Sequence, residues 1–237
     1  MKNNLSTLKF KTGLKDGLPI GLGYLSVSIA FGIKAALAGV PVLVALLISM
    51  TNLTSAGQLD GLNIIASAGT LIEIILGQLV INARYFLMSI SLSQKTDNSF
   101  TTGVRAGASA FITDEIFAVA SSKRENIGKT YFFGLALLPY IGWALGTLIG
   151  ALAGNVLPTV ISSSLGIALY AMFIAIIVPP MRREIGVAFA VLFAILVSCI
   201  IFFVPPLKEF LGNFATIITA LLGAVVASLI FPLKEVK

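Results

Sequence analysis

The sequence has 237 residues, of which 57% are hydrophobic and only 11% are charged, whereas a soluble domain carries about 25% charged residues. This composition excludes an ordinary soluble protein, and the net charge of +6 is assigned to cytoplasmic loops of a membrane protein rather than to nucleic acid binding. With no histidine and only one cysteine, the sequence predicts no intrachain disulfide, no metal site, no cofactor and no histidine-activated nucleophile.

Eight apolar segments follow a lysine-rich N-terminal stretch, 1–16, which is predicted to lie in the cytoplasm. Unbroken apolar runs must be helical in lipid, because every backbone donor needs a partner within the segment. In chain order the segments are 17–38, 42–55, 62–83, 106–121, 130–153, 165–178, 185–204 and 214–231. Paired prolines are predicted to end segments six and seven. The predicted fold class is all-α, a polytopic integral membrane protein with one transmembrane domain over residues 1–237.

Segments two and four are too short to be ordinary spans, which need roughly 20 residues. The positive-inside rule tests whether they cross the membrane. If all eight segments cross, 11 of the 16 lysine and arginine residues are cytoplasmic; if these two segments are re-entrant or broken, 14 are cytoplasmic and 2 lie outside. The second arrangement fits the rule better and predicts six full spans with both termini and the stretch 85–105 in the cytoplasm. Two crossing broken helices are the alternative, and an inverted repeat is predicted from this topology alone.

A small polar stretch at the end of segment two lies in an otherwise apolar setting. Ser49, Ser55, Gly57 and Gln58 offer hydroxyl, backbone and amide groups, and we predict that they bind substrate. The alternative is helix packing, because serine, threonine and glycine are common between membrane helices.

Three carboxylates fall within the predicted segments, where an unpaired charge costs a few kcal/mol or more. Asp114 and Glu115, at the middle of segment four, suit an ammonium group or a proton; alternatively they lie at the water interface of a shallow hairpin. Glu73, at the middle of segment three, is a further candidate for proton coupling, or a protonated carboxyl bonded to a neighbouring helix. The same segment ends with Asn82, predicted to bind substrate, and Arg84, predicted to extend from the helix end towards water.

Segment five carries three glycines at four-residue spacing, Gly142, Gly146 and Gly150. This pattern is typical of close packing between membrane helices, and Trp143 adjoins it. Asp60, between segments two and three, is predicted to be a loop residue.

In their order and spacing, these motifs resemble the AzlC-type family, the large subunit of two-component branched-chain amino acid exporters. Tyr85 stands where family members often have histidine, so no role of that histidine carries over, and Glu73 is not part of the family pattern. The resemblance covers segments one to five through Leu18-Pro19 with Ala30-Phe31-Gly32, Ser55-Ala56-Gly57-Gln58, Asn82-Ala83-Arg84-Tyr85, Thr113-Asp114-Glu115-Ile116-Phe117-Ala118, and Gly142-Trp143 with Gly146-Thr147-Leu148-Ile149-Gly150.

The resemblance implies a non-enzymatic exporter of valine, leucine, isoleucine and, by extension, methionine in the bacterial inner membrane. It also implies a small AzlD-type membrane subunit as partner, and proton antiport is inferred for the class. Asp114 or Glu115 would then receive the ammonium group or the proton, and the backbone near Gly57 with Gln58 and Ser49 would receive the carboxylate. Two alternatives stay open: a membrane-embedded enzyme that uses Asp114 and Glu115 as paired acids, and a structural or channel subunit.

Overall fold

The computed structural model describes residues 8–154, 174 and 177–231. Within these ranges the protein is helical, with an isolated β-bridge between Thr96 and Ile127 and no strand. The all-α class is therefore confirmed, whereas most of predicted segment six lies outside the described residues. The helices are α1 (Phe10–Leu37), α2 (Val42–Thr51), α3 (Ser55–Ala66), α4 (Leu71–Ser93), α5 (Thr102–Ser109), α6 (Asp114–Ser122), α7 (Lys129–Ala153), α8 (Ile185–Phe203), α9 (Pro205–Leu211) and α10 (Phe214–Ile230).

Four helices of the described ranges, α1, α4, α7 and α8, are long and apolar enough to cross a bilayer. A fifth candidate is α9 together with α10, which are bent by 99° at a short break. Large apolar side chains remain exposed on these helices; Leu71 and Leu87 of α4, for example, are 70% and 67% exposed. Apolar exposure of this extent suits lipid rather than water. The protein is therefore a polytopic membrane protein, as predicted.

The chain divides into two compact units. The first comprises α1, α2, α5, α6 and α7, together with the first turn of α3 and the part of α4 from Asn82 onwards. The second comprises the remainder of α3 and α4 with α8, α9 and α10. All predicted site residues except Glu73 belong to the first unit. That the whole chain forms one transport domain stays a prediction.

The first unit is built on the packing of α1 against α7, in which the two backbones touch. A β-carbon added at Gly142 would lie 3.1 Å from the carbonyl carbon of Gly21, and one at Gly150 would lie 2.8 Å from that of Ile29. Glycines of α1 approach α7 equally closely: a β-carbon at Gly21 would lie 2.8 Å from the carbonyl oxygen of Leu138. Such contacts leave no room for a side chain, so the glycine ridge predicted on segment five is confirmed as a packing surface.

The structure corrects segment three, which was expected to be one helix over 62–83. This region contains the end of α3, a turn at 67–70 and the start of α4. Ala68 in the turn adopts a positive φ of 53°, and Thr70 and Glu73 cap the new helix through reciprocal hydrogen bonds. The small residues of the turn therefore end one helix and begin another within a single apolar run.

Three further expectations about local structure are wrong. Asp60 lies inside α3 rather than in a loop, because α3 already begins at Ser55. Arg84 lies well inside α4, which continues to Ser93, rather than at a helix end. Pro179 and Pro180 lie within helical residues 177–183 instead of stopping segment six, since a proline removes one hydrogen bond without necessarily ending a helix.

The second unit brings α8 and α10 together through small residues. A β-carbon added at Gly223 of α10 would lie 3.3 Å from the β-carbon of Ala194 on α8. At one end of the unit, the side chain of Asn213 lies 3.3 Å from the hydroxyl of Ser67, in the turn between α3 and α4. The first contact lies within the pair formed by α8 and α10, and the second connects that pair to the turn between α3 and α4.

Candidate functional site

The candidate site is organised by a break within predicted segment four. Helix α5 ends at Ser109 and α6 begins at Asp114, so predicted segment four consists of two short helices with a break between them. Whether these helices cross the membrane or form a re-entrant hairpin stays a prediction. Thr113 is the N-cap of α6, and its hydroxyl oxygen accepts the backbone N–H of Ile116 at 3.4 Å. Asp114 and Glu115 occupy the first turn of α6, where the partial positive charge of a helix N-terminus favours carboxylates. The acids therefore lie at a break rather than in the middle of a continuous helix.

Asp114 forms an ion pair with Arg84 of α4. Arg84 Nη1 lies 3.0 Å from Asp114 Oδ2, and the two side chains are 39% and 30% exposed. Arg84 Nη2 donates to the hydroxyl of Tyr85 at 3.2 Å. Arg84 Nε is buried and has no hydrogen-bond partner among the described residues. Arg84 was expected to extend from a helix end towards water; in the structure it lies inside α4 and pairs with a carboxylate, which stabilises a guanidinium within an apolar helix.

Glu115 has a different partner from its neighbour. Tyr24 of α1 donates its hydroxyl hydrogen to Glu115 Oε2. The ring of Tyr24 also meets Trp143 of α7 edge-on, with the ring centres 5.2 Å apart. The two acids therefore connect α6 to α4 and to α1 separately. This separation disfavours the alternative in which Asp114 and Glu115 share one proton as paired catalytic acids.

A chain of buried hydrogen bonds continues from Trp143 to α3 and α2. Trp143 Nε1 donates to Gln58 Oε1 at 2.9 Å, and Gln58 Nε2 donates to Ser49 Oγ at 3.0 Å. The hydroxyls of Ser49 and Thr147 lie 2.7 Å apart, which returns the chain to α7. Each of these four side chains is at most 2% exposed. The polar groups of these four side chains satisfy one another's hydrogen-bonding needs. This hydrogen-bond network therefore fixes the relative positions of α2, α3 and α7.

The remaining predicted substrate-binding residues lie at the start of α3 and on α4. Ser55 is the half-buried first residue of α3, and Gly57, which is buried, donates its N–H to Thr54 Oγ1 at 3.1 Å. Asn82 is half-buried on α4, two residues before Arg84. A direct role in substrate binding stays a prediction for Ser49, Ser55, Gly57, Gln58, Asn82, Asp114 and Glu115.

Glu73 belongs to the second unit and serves as a helix cap. Its Oε2 accepts the backbone N–H of Thr70 at 2.6 Å and the hydroxyl of Thr70 at 3.1 Å, while Glu73 N–H donates to that hydroxyl at 3.3 Å. This reciprocal arrangement is a capping box. The expected mid-helix position of Glu73 is wrong, because the chain turns just before it. Its role in proton coupling stays a prediction.

Sequence reasoning missed part of the network. Arg84 carried a usable signal, since a cation within an apolar run requires a counter-charge in the fold. Tyr24 and Thr147 carried none beyond a hydroxyl group in an apolar segment, and the partner of Trp143 could not be read from its surroundings in the chain. In chemical terms the assembled groups offer a partly exposed cation and anion side by side, next to a carboxylate held by a tyrosine hydroxyl.

Comparison with known proteins assigns the chain to a family. Residues 19–157, more than half of the chain, match the family described as AzlC protein. An uncharacterised membrane protein of Archaeoglobus fulgidus is 30% identical over 176 residues, which are 73% of this chain and 76% of that protein. The inner membrane protein YgaZ of Escherichia coli is 29% identical over 183 residues, 74% of either chain. No solved structure matches the chain. The matched region contains the broken helix, the ion pair and the buried hydrogen-bond chain. On the strength of these matches, this protein belongs to the AzlC family of membrane proteins.

Proposed function

We propose that this protein is a secondary active transporter that exports valine, leucine, isoleucine and methionine in exchange for protons. Its proposed partner is a small AzlD-type membrane subunit, and its proposed location is the bacterial inner membrane, with both termini in the cytoplasm. Family membership and the polytopic helical fold support a transporter. The motif resemblance described above supports the substrate class and the partner.

The ion pair between Arg84 and Asp114 is the observation that carries the proposal. Ionisable side chains inside membrane segments are rare, and they commonly mark the path of a substrate or an ion. Here the pair lies where α6 begins after a break, and discontinuous helices are a feature of the binding sites of many secondary transporters. Both side chains remain partly exposed, so a small molecule can reach them.

In this proposal, the acids of α6 receive the ammonium group and the proton. Glu115, held by the hydroxyl of Tyr24, is a suitable proton carrier, because protonation changes the hydrogen bond that joins α6 to α1. The substrate path is proposed to be lined or framed by the remaining predicted residues, which are Ser49, Ser55, Gly57, Gln58 and Asn82. Glu73 is retained as a proton-coupling candidate in the second unit.

Counterflow in proteoliposomes tests the proposal, with the chain co-expressed and reconstituted with its proposed partner. Unlabelled leucine trapped inside should drive uptake of labelled leucine, and valine, isoleucine and methionine should compete. Discrimination among them should be loose, because one methylene contributes only about 1–3 kcal/mol to specificity. Aspartate and lysine should not compete, and an imposed pH gradient should drive net movement. Absence of counterflow with all four aliphatic substrates would contradict the proposed function.

A further inference from the structure

We propose that Arg84 and Asp114 form a receptor for zwitterions, in which their ion pair opens so that Arg84 binds the α-carboxylate of the substrate and Asp114 binds its α-ammonium group. This inference rests on the proposed transport of amino acids and specifies the groups that recognise the substrate class.

Arg84 has donors to spare for a carboxylate. A guanidinium carries five N–H donors in a planar fork. In the described part of the chain, Nη1 faces Asp114, Nη2 donates to Tyr85, and Nε is buried without a hydrogen-bond partner. A buried donor without a partner destabilises a protein by about 1–3 kcal/mol. A carboxylate that engages Nε and a terminal nitrogen in the bidentate manner would remove this penalty and form a charge-assisted pair.

Asp114 supplies the opposite half of the receptor. Its side chain is 30% exposed, and Arg84 is its only ion-pair partner among the described residues. A carboxylate accepts up to about four hydrogen bonds, so it can hold a primary ammonium group when the guanidinium moves towards a substrate carboxylate. The substrate would replace one ion pair by two, with each group facing a charge of opposite sign.

Two of the carboxylate receptors predicted from the sequence, Gly57 and Gln58, are already engaged within the protein. Gly57 N–H donates to Thr54 Oγ1 at 3.1 Å, and the amide of Gln58 is bonded on both sides while only 2% exposed. Arg84, which was not predicted to be a site residue, is a cation with a buried donor that has no hydrogen-bond partner in the described part of the chain. This contrast favours Arg84 over the start of α3 as the carboxylate receptor.

A zwitterion receptor also preserves neutrality within the membrane. The empty site pairs one positive with one negative charge, and an amino acid adds one of each. Because an unpaired charge inside the bilayer costs several kcal/mol, it matters that the Arg84–Asp114 pair has no net charge of its own either when empty or when it holds an amino acid, whatever the protonation state of the neighbouring Glu115. An amine or a carboxylic acid alone would leave one protein charge unpaired, so the receptor would discriminate against both.

Binding of leucine and two analogues to the full-length protein in lipid nanodiscs tests the receptor. Isopentylamine lacks the carboxylate of leucine, and 4-methylpentanoate lacks its ammonium group. Leucine should bind wild-type protein at least about tenfold more tightly than either analogue. Arg84→Gln should shift the preference towards isopentylamine, and Asp114→Asn should shift it towards 4-methylpentanoate.

The double variant Arg84→Gln/Asp114→Asn separates a receptor from a structural ion pair. Removing both charges leaves no unpaired charge, so the fold should be retained, as checked by gel filtration and thermal unfolding. Leucine affinity should nevertheless fall by at least about tenfold. The matched control is Asp16→Asn/Lys123→Gln, which removes an ion pair with 2.8 Å between Lys123 Nζ and Asp16 Oδ2 and with similarly exposed side chains; leucine binding should survive there.

The outcomes distinguish this receptor from the proposed function. If the double variant binds leucine as tightly as wild type while wild type shows counterflow, the receptor is wrong and the transporter stands. If the double variant unfolds, the single variants decide, and unchanged analogue preferences in both overturn the receptor. Wild-type protein that neither binds leucine nor shows counterflow contradicts both proposals.

Discussion

Trp143 of α7 donates its indole N–H to the side-chain oxygen of Gln58 at 2.9 Å, and both side chains are 2% exposed. The two residues are 85 positions apart in the chain. Their bond ties the first turn of α3 to the helix that packs along α1, and Tyr24, which holds Glu115, rests against the same indole ring. The geometry around the acids therefore depends on a bond to which neither acid contributes.

Trp143→Phe should lower stability and transport together. The change keeps an aromatic ring against Tyr24 but leaves Gln58 Oε1 without its buried donor, which costs about 1–3 kcal/mol. Thermal unfolding in detergent measures the loss. Tyr140→Phe is the control, because it removes the bond from a partly exposed hydroxyl to the backbone oxygen of Met50. Equal melting temperatures for the two variants would show that the hydrogen bond of the indole contributes no more to stability than the hydrogen bond of Tyr140.

Gly21→Ala and Gly23→Ala should differ sharply although they lie on one helix. A β-carbon at Gly21 would lie 2.8 Å from the carbonyl oxygen of Leu138, so α1 and α7 must separate; overpacking of this kind costs about 1–3 kcal/mol. Apart from Gly23 itself, its two chain neighbours and the nearby backbone of α1, no atom lies within 4 Å of a β-carbon at Gly23, so that variant should be as stable as wild type. Melting temperatures of the purified variants test the difference, and a destabilised Gly23→Ala would point to loss of flexibility instead.

Asp114→Asn and Glu115→Gln keep side-chain volume and remove charge. At least one should reduce leucine export by about tenfold or more, with the protein still present in the membrane. Export from cells and membrane abundance by immunoblot are the two measurements. Glu209→Gln, at an exposed position of α9, should export normally. Normal export by both acid variants would show that the start of α6 carries neither substrate nor proton.

Glu73 can be tested for a capping role against a proton-coupling role. Glu73→Gln retains an oxygen that can accept the N–H of Thr70, whereas Glu73→Ala removes the cap, and loss of a capping interaction costs about 0.5–2 kcal/mol. A cap alone predicts normal export by Glu73→Gln and a lower melting temperature for Glu73→Ala. Proton coupling through this carboxyl predicts that Glu73→Gln loses pH-driven export while it melts normally.

Cysteine labelling tests the proposed orientation. In a Cys199→Ser background, Asn98→Cys should resist a membrane-impermeant maleimide in intact cells and react after permeabilisation, because Asn98 follows the end of α4 at Ser93, in the part of the chain predicted to be cytoplasmic. Asn98 is exposed, so the reaction is limited by sidedness rather than by burial. Ala38→Cys, exposed after α1, should react from outside. The reverse pattern would invert the proposed topology.

The apolar runs and their turn residues predicted the helical class and the break of segment four, because these features depend on local sequence. Pairings could not be predicted in the same way. Arg84 and Asp114 are 30 positions apart, and only the packed helices decide that the cation meets the first acid of α6 while the second meets Tyr24. Glu73 is a different case, because Thr70 three residues earlier forms a capping-box motif with it that marks the start of a helix. The sequence prediction overlooks this motif because the residues on both sides are apolar and resemble one continuous helix.

The close contact of α1 with α7 also imposes an order on how the protein is made. A chain is synthesised from its N-terminus, so α1 enters the membrane before residues 38–128 and well before its main packing partner exists. Until α7 arrives, the glycine face of α1 must contact lipid or the insertion machinery instead of the backbone of α7. We therefore expect the first unit to reach its final packing only after α7 is inserted, and truncations that end before Lys129 to yield an α1 that other membrane helices can capture.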